Sequence, residues 1–147
     1  MTTDWSEWGP LTERTADEAP ESPAVYQVSL NREGGIRRLL DDDPDGVLYI
    51  GESKRLSRRL AGFLHGMTRG RGHSGSNIVH QMGQDRKELF CEGIAKEQYR
   101  YRYVETPLSA RHKIEKAELK AYLNRFGELP PFNAALPGGK GKRADTR

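Results

Sequence analysis

Between Val47 and Arg59 the chain reads V-L-Y-I-G-E-S-K-R-L-S-R-R, and its hydrophobic period changes without a break. An apolar extended run closes on Tyr49-Ile50-Gly51, and a basic helical pattern follows at once. A strand end and a helix start must therefore share one rim, which sets a phenol beside a guanidinium. Gly51 has no Cβ, so the chain is expected to turn sharply out of the strand there and to let a backbone or ligand approach closely. Tyr and Arg together can neutralise charge at phosphorus and handle a proton from water, the two demands of phosphodiester cleavage. Ordinary turn chemistry at a strand end is the competing reading of the same residues.

The remaining sequence supplies the partners for that junction. A first strand reads Ala24 to Leu30, with Val and Tyr in alternating polarity, and the second is Val47 to Ile50. Between them Asn31 to Gly35 is a turn and Arg37 to Leu40 a short helical piece, ended by Asp41-Asp42-Asp43-Pro44-Asp45-Gly46. The two strands make a long-loop antiparallel hairpin. From Ser53, a suitable N-cap, Leu56, Leu60, Phe63 and Leu64 fall on one side of a helix. A Gly-rich basic loop, Gly66 to Gly75, and a second helix, Ser76 to about Glu92, come next. A third strand spans Gln98 to Glu105, its tyrosines facing inward, and Pro107 opens a last helix running to about Phe126 and Gly127. The fold class is α+β in the order β-β-α-α-β-α, one domain over residues 23 to 134. Residues 1 to 22 form a flexible acidic arm, in which Trp5, Trp8 and Leu11 could dock a helical turn, and residues 135 to 147 a basic disordered tail.

The net charge of +3 conceals a division. Residues 1 to 52 carry 12 Asp and Glu against 4 Lys and Arg, and residues 53 to 147 carry 9 against 20. Such a positive segment attracts a polyanion and gains affinity by releasing its counterions, so nucleic acid is the expected partner. No apolar run approaches a membrane span, and the N-terminus lacks a basic stretch followed by an apolar one, so a cytoplasmic protein without a membrane partner is expected. Cys91, the lone cysteine, forms no internal disulfide or multi-cysteine zinc site and is read as a packing residue.

Ala24-Val25-Tyr26 and Tyr49-Ile50-Gly51, in this order of elements, resemble the two motifs for which the GIY-YIG nucleases are named. The resemblance covers about residues 23 to 134 and implies a three-stranded antiparallel sheet flanked by helices. An arginine eight residues past the second motif's glycine is part of the family pattern, which implies Arg59. A metal-binding glutamate on the last helix and an asparagine shortly after a proline imply Glu115 and Asn133. At 100° per residue Glu115 shares a direction with Leu119, Tyr122, Leu123 and Phe126, whereas Glu118 lies at the edge of that stripe and is the substitute. The chain departs from the pattern at Ala24, at Val25 and at Phe63, where relatives often carry His or Tyr; His65 or His73 would have to supply that role.

The activity so implied is metal-dependent endonucleolytic hydrolysis of nucleic acid, DNA being the expected substrate. Glu115 would hold Mg2+ or Mn2+, Tyr26 would relay the proton of attacking water, Arg59 would stabilise phosphate charge, Tyr49 would position water or phosphate, and Asn133 would brace the site. Gly51, Lys54, Arg55, Arg58, Arg69 and Arg71 would meet the nucleic-acid backbone, and a second copy of the chain or another protein is left to supply specificity. A noncatalytic binding module of the same fold is the alternative. A third reading rests on Asp41, Asp43, Asp45, Gly46 and Glu52, which match the EF-hand calcium-loop spacing, although the apolar run after Gly46 is not the helix that pattern needs.

Overall fold

The computed structural model describes residues 4–69 and 98–133, with the side chains of 66–69 outside that description. In chain order its elements are β1 (Gly9–Pro10), α1 (Glu13–Glu18), β2 (Ala24–Leu30), β3 (Ile36–Arg37), β4 (Asp42–Asp43), β5 (Val47–Ser53), α2 (Leu56–Arg69), β6 (Tyr99–Glu105), a 3-10 turn (Leu108–Ala110) and α3 (Arg111–Phe126). The fold is α+β. The main sheet has the order β1-β6-β2-β5 with every neighbour antiparallel. The second expected helix, Ser76 to Glu92, lies outside the described residues, as does Cys91.

Every residue of β2 is buried because the sheet is covered on both faces. Ala24, Tyr26, Val28 and Leu30 point into a cluster with Ala16 of α1 and with Leu56, Leu60 and Phe63 of α2. Val25 points the other way, to Leu119, Tyr122 and Phe126 of α3. Gln27 and Ser29 share that second face, and each buried side chain finds a donor across the sheet: Arg102 Nε lies 2.9 Å from Gln27 Oε1 and Arg100 Nε 2.7 Å from Ser29 Oγ. Both guanidinium groups lie 4.4 Å from the centre of the Trp8 ring, so the N-terminal tryptophans cover the polar end of this face.

That contact corrects the expectation of a flexible arm and of a three-stranded sheet. Ser6 N–H donates to Tyr103 O at 2.8 Å, Leu11 N–H donates to Tyr99 O at 3.0 Å, and β1 pairs with β6 between them. Leu11 and Ala16 are buried, and Thr12 and Thr15 close a reciprocal cap on α1. Trp5, Trp8 and Leu11, the residues read as able to dock, do pack onto the body together with Ala16 and Ala19, and β1 pairs along the outer edge of β6. Arg37 to Leu40 is not helical. Leu39 and Leu40 are 73% and 67% exposed, so a helix there would have no core to bury its face, and the segment instead forms the β3–β4 ribbon.

Three boundaries differ from expectation for local reasons. β5 continues to Ser53, because Gly51 pairs with Tyr26 inside the ladder and does not turn the chain. Ser53 does not cap the helix directly; its Oγ accepts from Arg55 N–H at 2.9 Å, and the first N–H groups of α2, those of Leu56 and Ser57, donate to Ser22 O and Pro20 O. α2 runs across Gly66 to Arg69, into the stretch expected as loop. The end of α3 matches the sequence reading: Gly127 adopts φ 81° and its N–H closes on Leu123 O.

The acidic turn is not a calcium loop. Asp43 is buried, its Oδ1 accepting from Asp45 N–H at 3.0 Å and its Oδ2 from Val47 N–H at 2.9 Å and Tyr122 O–H at 2.8 Å. Strands flank it on both sides. No helix among the described residues is long and apolar enough to cross a membrane.

Candidate functional site

Register brings the two motif tyrosines together. Tyr26 faces Gly51 across the β2–β5 ladder and Val28 faces Tyr49, so both phenols lie on the α2 side of the sheet. Their ring centres are 6.1 Å apart, and Tyr49 lies 5.5 Å from Phe63. A Cβ on residue 51 would stand 2.7 Å from Tyr49 Cε2 and 2.9 Å from Tyr26 Cζ and Oη. Gly51 is therefore clearance for two rings, and the space above it is already filled.

Leu56, Leu60 and Phe63, all fully buried, fix the rotation of α2. Arg59 then leaves the helix beside Leu60, exposed at the surface yet hydrogen-bonded to the Tyr26 side chain. The Tyr26 phenol is held well above its ordinary pKa, first by burial, next by the neighbouring Tyr49 and further by the charge of Glu115; Arg59 pulls in the opposite direction and does not win. Tyr26 is thus a neutral phenol at neutral pH. Tyr26 meets both Arg59 and Tyr49, and Glu115 reaches it through its field.

Asn133 holds the outer edge of β5. Its Oδ1 accepts from Ile50 N–H and its Nδ2 donates to Ile50 O, each at 3.0 Å, while Phe132 N–H donates to Leu48 O at 2.8 Å. A side-chain amide thereby completes the ladder of an edge strand at the residue between Tyr49 and Gly51. Asn133 thus fixes the backbone of β5 beside Tyr49.

Glu115 projects from the second turn of α3 with His112 one turn before it, and Glu52 comes from the last residues of β5. Ligand atoms of Glu52, His112 and Glu115 all lie within 4.8 Å of one another. Glu52 Oε1 is 2.7 Å from Arg111 Nε and its Oε2 is 3.3 Å from His112 Nδ1. The Arg111 contact is an ion pair by proximity, since that buried N–H is not aligned for a hydrogen bond. Carboxylates are donors that Mg2+ and Mn2+ both accept, and the imidazole is one that Mn2+ accepts more readily, so the residues fit a divalent cation. Glu118 stands elsewhere, close enough to Arg102 to act on its charge.

Lys54, Arg55 and Arg58 are exposed around the start of α2, next to Arg59. Arg71 and His73, and the Arg69 side chain, lie outside the described residues; His65 is exposed on α2. Glu52, Arg111 and His112 were not anticipated as site residues. His112 and Glu115 stand three apart on a helix, a spacing that puts both on one face and was the available signal; Glu52 had none, because its neighbour on α3 is distant in sequence. Compared with known protein families, with curated proteins and with solved structures, the chain finds no match.

Proposed function

We propose that the protein is a metal-dependent endonuclease of GIY-YIG type that hydrolyses phosphodiester bonds in nucleic acid, with DNA as the expected substrate. One observation carries this reading. Tyr26 is hydrogen-bonded by Arg59, packed beside Tyr49 and within the field of Glu115, four residues drawn from two strands and two helices. A fully buried phenol that meets an exposed guanidinium and feels the charge of a half-buried carboxylate, all from separate parts of the chain, makes a set of titratable groups of the kind that functional sites gather.

When bound at Glu115, a divalent cation supplies Lewis-acid stabilisation of phosphate charge. Arg59, exposed and fork-shaped, meets the phosphate from the α2 side and balances the charge that grows there. Tyr26 enters as a phenol and not as a phenolate; enclosed as it is, it acts through its hydrogen bond with Arg59 and yields its own proton only under the pull of nearby positive charge. Tyr49, 8% exposed, stands between Tyr26 and Phe63 and keeps the Oη of Tyr26 at a fixed place. Lys54, Arg55 and Arg58 extend the cationic surface along which a nucleic-acid backbone lies.

Incubation of the purified protein with supercoiled plasmid and with single-stranded DNA and RNA, with and without Mg2+ or Mn2+, tests the reading. Nicking that requires the metal is expected. A noncatalytic module of the same fold is favoured by the complete enclosure of Tyr26, and it would bind these substrates without cutting any of them under either condition.

A further inference from the structure

Glu52 entered the sequence reading only through a calcium pattern that the fold does not assemble. Its carboxylate lies at the opposite end of β5 from Asp43, against the first turn of α3. There it meets His112 and Glu115. From this juxtaposition we infer that Glu52 and His112 are direct metal ligands beside Glu115, forming a one-nitrogen, two-carboxylate centre that prefers Mn2+ to Mg2+.

Three features support the inference. The candidate donor atoms lie within 4.8 Å of one another, slightly beyond the span of two bonds of about 2.2 Å, so a small side-chain rotation lets one ion reach all three. The donors come from two separate elements, the end of β5 and one face of α3, so their approach is a product of the fold and not of neighbouring positions in sequence. Two carboxylates held this close repel unless positive charge intervenes. Arg111 answers that need at Glu52 Oε1, while Oε2 is turned toward His112 Nδ1, 3.3 Å away. An arginine held on one oxygen of a carboxylate is the kind of outer partner that orients a ligand for a cation on the other.

The imidazole decides the metal class. Mg2+ keeps to oxygen donors and gives up its water reluctantly, whereas Mn2+ and the later divalent ions accept an imidazole nitrogen readily. A site with a single glutamate would show no such preference. The proposal rests on the metal-dependent reading above, but its test does not depend on cutting.

The full chain is titrated with MnCl2 and followed by electron paramagnetic resonance, with 14N modulation of the bound-ion signal as the readout. Bound Mn2+ with nitrogen modulation is expected, Mg2+ competing at least about tenfold more weakly. His112→Gln should remove the modulation and, like Glu52→Gln, weaken Mn2+ binding at least about tenfold. His112 is 64% exposed, so its replacement leaves the core intact, and circular dichroism of both variants verifies this. Mn2+ bound without nitrogen modulation, or with equal affinity in both variants, overturns the proposal and leaves a Glu115 site for the nuclease reading. No Mn2+ binding at all overturns it too, reducing the cluster to an ion network around Arg111. Nitrogen modulation in a protein that cuts nothing would sustain the metal centre and sink the nuclease reading alone.

Discussion

At the scale of single residues, Gly51 bears on stability and Arg59 on the proposed cleavage. Alanine at 51 drives a methyl into two phenol rings, and Tyr26 has no exposed surface through which to retreat. Gly51→Ala should therefore cost about 1–3 kcal/mol of stability, read from denaturant unfolding, and should displace both tyrosines. An unchanged unfolding midpoint would mean that the rings move freely. Arg59→Lys retains the charge and loses the planar fork; cleavage should fall roughly 100-fold in single-turnover assays while the fold stays intact. Tyr49 and Arg59 were legible in the sequence because one strand-to-helix junction places them locally, and Tyr26 joins them through the pairing of β2 with β5. Glu52 was not, because only the packing of α3 on β5 gives that glutamate its neighbours.

At the scale of elements, the acidic turn shows how one spacing serves two chemistries. Asp41, Asp43, Asp45 and Gly46 have calcium-loop intervals, yet the apolar run that follows pairs with β2, and Asp43 turns inward to bind backbone N–H groups and Tyr122. Tyr122→Phe removes one of three donors to a buried carboxylate, and a loss of about 1–3 kcal/mol is expected in thermal or denaturant unfolding, with no effect of added Ca2+. Stabilisation of the wild type by Ca2+ would revive the calcium reading. The N-terminal segment was the largest surprise. Its composition argued for solvent, but edge strands need cover, and a few apolar side chains on an otherwise acidic segment were enough to close β6. The helical expectation for Arg37 to Leu40 failed for the converse reason: Leu39 and Leu40 stay mostly exposed, so a helix there would bury no apolar face.

At the scale of the whole molecule, burial of phenols makes stability sensitive to alkali. Tyr26 and Tyr122 are raised chiefly by burial, and Tyr101 is raised for the same main reason. Below an unfolded phenol pKa of ~10 these groups are protonated in both states and the fold has its full stability. Above it the unfolded chain ionises while the folded chain holds its protons, so stability falls as pH rises toward the folded values. The melting temperature should decline steadily above pH ~10, and a flat profile through that range would show the phenols to be accessible to water. The uneven charge of the chain bears on binding and not on folding: Lys54, Arg55, Arg58 and Arg59 concentrate positive charge beside the tyrosines.

In the proposed nuclease, binding and cutting should therefore separate, because one would draw on the cationic surface and the other on Glu115. The direct test compares wild type with Glu115→Ala on supercoiled plasmid in Mn2+, with salt-dependent DNA binding measured in parallel. Metal-dependent nicking by the wild type is predicted to fall at least about 1,000-fold in the variant while binding and its salt slope persist. Undiminished nicking by Glu115→Ala, or no nicking by the wild type in either metal, would contradict the account.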